Sequence, residues 1–145
     1  MKQQQKKPQK IPNLPSFSKP LIVKKPRKIL EASAQVTLVR WLREHGIRHC
    51  LLNNPFRVTS WGQLHKAKAM GLNKGMPDLL VYLSDKQTKD GKNYLIFVEM
   101  KKEKGGVVTP EQQEWIDVLN TVDGCKAMVS RGHEEALSFI FNHMK

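Results

Sequence analysis

Apolar positions recur with the period of a helix in three parts of this chain. The first begins near Ile29, where apolar residues three or four positions apart share one face and Gly46 supplies a stop; they are Leu30, Ala34, Leu38, Trp41 and Leu42. The second begins at Thr109-Pro110, because threonine is a favoured N-cap and proline a favoured first helical residue. The third, residues 134–143, predicts a closing helix.

Four short apolar runs predict β-strands over residues 49–53, 78–83, 94–100 and 126–130. Asp90-Gly91 lies between the second and third runs and is a strong turn signal, so these two strands are expected to form an antiparallel hairpin. The order of elements is helix, strand, hairpin, helix, strand, helix. This order predicts an α/β domain with a mixed central β-sheet flanked by helices.

A long connection separates the first two predicted strands and carries Trp61 together with several basic side chains. The basic residues are Arg57, His65, Lys66, Lys68 and Lys74. Basic residues interleaved with an aromatic one suit a surface that contacts a DNA backbone. An ordinary amphipathic helix around residues 64–70 is the alternative, and the two interpretations are compatible.

Candidate chemistry lies where two of the predicted strands carry acids. Asp78 opens one strand, and Glu99 and Lys101 come at the end of the next, where alternation places both on one face. A carboxylate is a hard oxygen ligand for Mg²⁺ or Mn²⁺, and an ammonium two residues on can orient or activate water. Taken singly, Pro-Asp is usually a turn and Glu-x-Lys a solvated charge pair. Charged side chains at the end of a buried strand are rare, and they indicate a functional site.

These residues resemble the PD-(D/E)xK nuclease signature, and their wider context resembles its VRR-Nuc branch. The resemblance extends from about Glu31 to the C-terminus and includes five pieces in order: Glu31-x-x-x-Gln35 with Arg40-Trp41-Leu42, residues 69–78, residues 98–101, Gly105-Gly106, and Thr109-Pro110-Glu111-Gln112 with Trp115. Family members more often carry valine at the position of Met76 and serine at that of Thr109. Both differences preserve the chemistry.

The resemblance implies a restriction-endonuclease-like core and a metal-dependent DNA endonuclease, selective for branched DNA such as four-way junctions or flaps. It assigns Asp78 and Glu99 as ligands of Mg²⁺ or Mn²⁺, with the Met100 carbonyl as a third ligand and Glu31 completing the acidic cluster. From the residues alone, the favoured interpretation of Glu31 is a first-turn acid that complements the helix dipole.

Two further side chains complete the catalytic set that the resemblance implies. Lys101 would stabilise the developing hydroxide or the phosphoryl charge, and Gln112 would position Lys101 or the water. Gln112 is also the third helical residue (N3) of a capping box whose N-cap is Thr109. It nevertheless lies on the apolar face of its helix, whereas Gln113 faces another way.

The net charge of the chain indicates a polyanionic partner. The net charge of +12 is uneven, because residues 1–28 hold nine Lys or Arg and no acid, while residues 29–145 hold sixteen and thirteen. Residues 1–28 are proline-rich, lack a sustained period and predict a disordered basic arm before a nuclease domain over residues 29–145. A solubility tail is the alternative. DNA is the expected partner, contacted by Arg57, Lys66, Lys68, Lys74, Lys102 and Lys104.

Two other functions remain open at this stage, a basic nucleic-acid-binding module that does not cut and a small regulator. A symmetric cut across a junction would need two active sites, so a homodimer is a further expectation. No apolar stretch reaches the ~20 residues of a membrane span. Cys50 and Cys125 show no CxxC pairing and suit a reducing compartment, so we expect the cytoplasm, that of the host if a phage encodes the chain.

Overall fold

A computed structural model describes residues 31–52 and 60–145, which form four helices and four strands. In chain order these are α1 (Glu31–Glu44), β1 (Arg48–Leu51), α2 (Trp61–Ala69), β2 (Leu79–Leu83), β3 (Tyr94–Lys101), α3 (Pro110–Leu119), β4 (Cys125–Arg131) and α4 (His133–His143). Each predicted element is present, and the ends lie within two residues of the predicted ones, except that the helix expected around residues 64–70 begins at Trp61. The predicted arm, residues 1–28, lies outside the described residues.

The four strands form one mixed sheet in the order β1-β2-β3-β4. β2 is antiparallel to both β1 and β3, which confirms the predicted hairpin, and β3 is parallel to β4. Leu79 pairs with Val98, and Glu99 pairs with Val129. The α/β fold class with a mixed central sheet flanked by helices is therefore confirmed.

Helices cover both faces of the sheet because side chains of a strand alternate between them. On one face, α1 and α4 bury Leu38, Leu42 and Ile140 against Val98 and Met100. On the other face, Ile116 of α3 packs with Phe97 and Ala127. β3 is central to both clusters. Because Glu99 and Lys101 alternate with Val98 and Met100, they face the α3 side.

α1 ends in a glycine-dependent cap, as the sequence predicts. Gly46 has a φ of +63°, a conformation that glycine adopts at little cost. The Gly46 N–H donates to the carbonyl of Arg43 at 3.1 Å, and the Ile47 N–H donates to that of Leu42 at 2.9 Å. This is the Schellman pattern, with buried Ile47 and Leu42 as its apolar pair. The cap turns the chain directly into β1.

Within the described residues, no helix has both the length and the apolar character needed to cross a bilayer.

Candidate active site

One end of the sheet collects the residues that carry the candidate chemistry. β1 ends there, β2 begins there after Asp78, and β3 ends there with Glu99, Met100 and Lys101. Because Leu79 pairs with Val98, Asp78 stands next to Glu99 across the two strands. The strand pairing thus brings together acids that are 21 positions apart in the chain.

Asp78 is fixed where β2 meets the last residues of β3. Its Oδ2 accepts a hydrogen bond from the Met100 N–H at 2.9 Å, and its backbone carbonyl accepts one from the Leu52 N–H at 2.8 Å. The N–H and C=O of one strand residue point to the same side of the strand. The Met100 carbonyl therefore points to the side of β3 on which the Asp78 carboxylate lies.

Glu99 is a buried carboxylate, with 2% of its surface exposed. The ammonium of Lys101, itself buried, lies 2.8 Å from Glu99 Oε1. Desolvating two charges costs several kcal/mol per ion by rough general estimates, which close pairing offsets only in part. A fold that needed only stability would do better with apolar side chains here, so this pair indicates a functional site.

Gln112 joins the site through the same oxygen, because its Nε2 donates to Glu99 Oε1. Its own Oε1 accepts from the Thr109 N–H at 2.9 Å, while Thr109 Oγ1 accepts from the Gln112 N–H at 3.3 Å. The capping box and the site contact are thus made by opposite ends of one amide. Accepting from Thr109 directs the NH₂ group towards Glu99, so the capping box is compatible with a contact between Gln112 and Glu99.

The loop before Asp78 is held against the first turn of α3. Gly75 has a φ of +89°, and a Cβ there would lie 2.6 Å from the Glu111 backbone carbon. Lys74 Nζ lies 2.7 Å from Glu111 Oε1. A hydrogen bond from Lys74 is the main cause that lowers the pKa of Glu111 to about 2. Hydrogen bonds from the backbone N–H of Glu111 and from the Thr109 hydroxyl lower it further. The loop that delivers Asp78 and the helix that delivers Gln112 are therefore fastened together.

Lys101 is enclosed from its other side by residues that follow β3 and β4. A Cβ on Gly106 would lie 2.9 Å from the Cβ of Lys101. Arg131 Nη1 donates to the Gly106 carbonyl at 2.9 Å, and the Gly132 N–H donates to the Lys101 carbonyl at 3.2 Å. In the sequence, Gly106 stands out only through the family resemblance. Arg131 was not predicted, since a contact across 25 positions leaves no local pattern.

The predicted DNA-contacting residues have different settings. Lys66 and Lys68 are exposed on α2, and Lys102 and Lys104 are exposed in the turn after β3. Lys74 is paired with Glu111 in an exposed salt bridge. Arg57 lies outside the described residues. Glu31 is the first residue of α1, but its side chain also lies outside the described part of the chain.

The acidic groups can be compared with what a metal ion requires. Among the described side chains, no group of three or more His, Cys, Asp or Glu residues is close enough to hold a metal. Asp78 and Glu99 form a pair of carboxylates, and the Met100 carbonyl adds a backbone oxygen on the same side. All three donors are oxygens, and this set fits a hard divalent cation such as Mg²⁺ or Mn²⁺.

Similarity to known proteins was found at the level of family and of fold. The family model of the VRR-NUC domain matches residues 29–134. A solved structure described as "VRR_NUC domain protein" is similar with a TM-score of 0.54 over 79% of this chain and 87% of that one. Its 23% sequence identity supports a common fold alone. No curated protein matches the chain.

Proposed function

The chain belongs to the VRR-NUC domain family and carries a nuclease-type domain, and from this premise we propose that it is a metal-dependent DNA endonuclease selective for branched DNA. One observation carries the proposal. Lys101 and Gln112 converge on the buried carboxylate of Glu99, and Asp78 stands on the neighbouring strand at the same end of the sheet. An acid pair with an adjacent lysine is suited to metal-dependent phosphodiester hydrolysis.

Asp78 and Glu99 would hold Mg²⁺ or Mn²⁺, with the Met100 carbonyl as a third ligand and Glu31 completing the cluster. When bound, a divalent cation offsets negative charge on the phosphoryl group and lowers the pKa of water. The hydrogen bond from the Met100 N–H holds the Asp78 carboxylate in place. Ligands fixed before the metal arrives need little reorganisation on binding.

Lys101 supplies positive charge beside the reacting phosphate. The Gly106 backbone packs against its Cβ, and its ammonium is buried and paired with Glu99. A buried ammonium in a poorly hydrated site acts on developing negative charge more strongly than one in water. Gln112 is a positioning residue, because it orients the Glu99 carboxylate through a hydrogen bond to Oε1.

DNA would approach the same end of the sheet. Lys102 and Lys104 follow β3 at this end, and the connection carrying Lys66 and Lys68 leaves and re-enters the sheet there. Phosphate contacts of this kind fix the register of DNA without reading its sequence. Selectivity for branches would come from the shape of the substrate, and symmetric cleavage of a four-way junction would require a homodimer.

Cleavage of a DNA panel tests the proposal. Flap, splayed-arm, four-way junction and linear duplex substrates are incubated with Mg²⁺, with Mn²⁺ or with EDTA. We expect metal-dependent cutting that prefers branched substrates, and its loss in Asp78→Ala and Glu99→Ala. Asp123→Ala is the matched control, an exposed acid beyond the far end of the sheet, and should cut normally. Binding without any cutting would instead support the non-catalytic binding module.

A further inference from the structure

Helix α2 is unlike the other described helices because it leaves its largest apolar side chain, Trp61, exposed. None of its residues is buried, and no other described helix or strand packs extensively against it. Trp61, its first residue, is 79% exposed. Tryptophan carries the largest apolar surface of any side chain, so this exposure at the start of an unpacked helix calls for an explanation.

The exposed face of α2 combines this aromatic ring with positive charge. Leu64 and Ala67 are half-buried and define the inner face, while Trp61, His65 and Lys68 lie on the outer one. The rings of Trp61 and His65 are 6.1 Å apart and tilted by 33°. Lys66 is also exposed, and α2 contains no acid. The outer face therefore offers an indole ring beside the Lys68 ammonium, while Lys66, two positions away from Lys68, projects from another side of the helix.

Charge around α2 favours a polyanion over a protein surface. From His45 to Pro77 the chain contains no Asp or Glu and five Lys or Arg, one of which is Arg48. A stretch this long without acids is unusual in a chain whose residues 29–145 are nearly balanced. Clustered positive charge is the electrostatic footprint of nucleic-acid binding.

The position of α2 places this face near the candidate active site. β1 ends and β2 begins at the end of the sheet that holds Asp78, Glu99 and Lys101. The connection carrying α2 joins these two strand ends, and only residues 70–77 separate the helix from Asp78. Eight extended residues span at most about 28 Å, so α2 lies within one or two turns of duplex from the site.

We propose that α2 docks an unpaired strand of the DNA substrate, with Trp61 stacking on an exposed base and Lys66 and Lys68 contacting its phosphates. A duplex offers phosphates to the lysines but conceals its base faces, whereas a single strand offers both. That the bound strand belongs to a DNA substrate rests on the proposed function. The docking site adds to it a reason why branched DNA, which exposes unpaired bases at its arms, would be preferred.

Binding is measured in EDTA, which prevents cutting, by fluorescence anisotropy on a splayed-arm DNA and a blunt duplex of equal nucleotide number. Trp61→Leu keeps apolar surface but loses the π face, and Trp61→Phe keeps a smaller π face. We expect Trp61→Leu to weaken splayed-arm binding by roughly 5- to 150-fold, the usual effect of losing one stacked base, and to spare duplex binding. Trp61→Phe should retain most of the affinity.

Two controls separate stacking from other causes. Met70→Ala removes an equally exposed apolar side chain, 78% exposed, from the other end of α2 and should change neither affinity. Lys66→Gln with Lys68→Gln should weaken both substrates and flatten the salt dependence, by roughly 0.7 to 0.9 in slope for each phosphate interaction removed. Melting temperatures should be unchanged for all of these variants, because none of the altered side chains is buried.

Three results would overturn the inference. If Trp61→Leu bound the splayed arm as tightly as the unaltered chain, the exposed face would serve a protein or nothing. Equal losses on both substrates would exclude base stacking, and a loss with Met70→Ala as large as that with Trp61→Leu would make it a general apolar effect. The outcome is independent of catalysis. A chain that never cuts DNA but shows the Trp61-dependent preference would fail the proposed function while supporting this docking site.

Discussion

Glu99 is the residue on which the chemistry of this site depends. Its Oε1 receives both the Lys101 ammonium and the Gln112 amide, and the carboxylate is buried beneath α3. Such an arrangement holds one carboxylate in one orientation at a cost in desolvation. Lys101 supplies a positive charge, whereas Gln112 supplies a hydrogen bond that orients the Glu99 carboxylate. Substitutions at the two positions should therefore have different signatures.

Lys101→Arg should lose cleavage nearly as completely as Lys101→Ala, by roughly 100-fold or more. Arginine keeps the charge, but its planar group is bulkier and cannot be deprotonated, so it cannot replace an enclosed lysine that positions or activates water. Single-turnover cleavage of a four-way junction measures the loss, and Lys92→Arg, at an exposed hairpin lysine, is the control. An arginine variant that cuts at close to the wild-type rate would show that Lys101 acts only as a positive charge.

Gln112→Glu should reduce cleavage at neutral pH and shift the remaining activity to higher pH. Glutamate still completes the capping box with Thr109, so α3 keeps its start. The new carboxylate stands beside Glu99, and two close carboxylates raise the apparent pKa of the pair. Glu99 must be ionised to hold a cation, so activity should recover as the pH rises.

The rate–pH profile of Gln113→Glu is the comparison for this shift. Gln113 donates to Asp117 on the outer side of α3, so a carboxylate there should leave the profile in place. If the two variants had the same profile, the Gln112–Glu99 hydrogen bond would have no role in the active enzyme.

Local sequence pattern predicts some of these residue contacts and not others. Glu99 and Lys101 are two positions apart in a strand, so their shared face follows from the alternation of side chains. Gln112 was predicted from the apolar face of its helix. Arg131 and Glu111 act through contacts with Gly106 and Lys74 that depend on how the strands and loops are brought together. The pattern contains no signal for such contacts.

At the scale of elements, the loop before β2 and the start of α3 form one unit. Gly75→Ala should destabilise the protein by about 1–3 kcal/mol more than Gly71→Ala. Both glycines have a left-handed φ, +89° and +96°, so both variants are strained. A Cβ on Gly75 also collides with the Glu111 backbone, whereas one on Gly71 meets nothing within 4 Å.

Urea unfolding of the two glycine variants measures this difference directly. The shared backbone strain cancels in the comparison, and the remainder is the contact with α3. Cleavage should fall further in Gly75→Ala than in Gly71→Ala, since moving the start of α3 moves Gln112. Equal losses of stability would show that the loop and α3 are not tightly packed.

Helices and strands were predictable here because the apolar residues of most segments recur with one clear period. The strand ends were less so: β1 covers Arg48–Leu51 in place of 49–53, and β4 extends one residue beyond the prediction at each end. Strand ends depend on pairing with a neighbour, which apolar runs do not encode. The parallel pairing of β3 with β4 likewise follows from the α3 crossover and not from either strand alone.

For the whole molecule, charge is distributed in two parts. Residues 1–28 carry nine positive charges without an acid, and two further lysines proposed to contact DNA, Lys102 and Lys104, follow β3 at the end of the sheet that holds the candidate site. Neither feature reads a base sequence, so affinity should be dominated by phosphate contacts and should be sensitive to salt. The contribution of residues 1–28 to DNA binding can be tested without affecting catalysis, because this segment contains no proposed catalytic residue.

Deleting residues 1–28 should weaken DNA binding and flatten its salt dependence, while metal-dependent cleavage persists at low salt. Each phosphate interaction that the deletion removes should reduce the slope of log K against log[salt] by roughly 0.9 on duplex DNA. Binding titrations in EDTA at several salt concentrations measure the slope. A full-length chain with glutamine at the nine basic positions is the matched control, since it keeps the length and removes the charge. Both variants should show the same reduced slope. An unchanged slope in either would mean that this segment does not bind DNA and serves as a solubility tail.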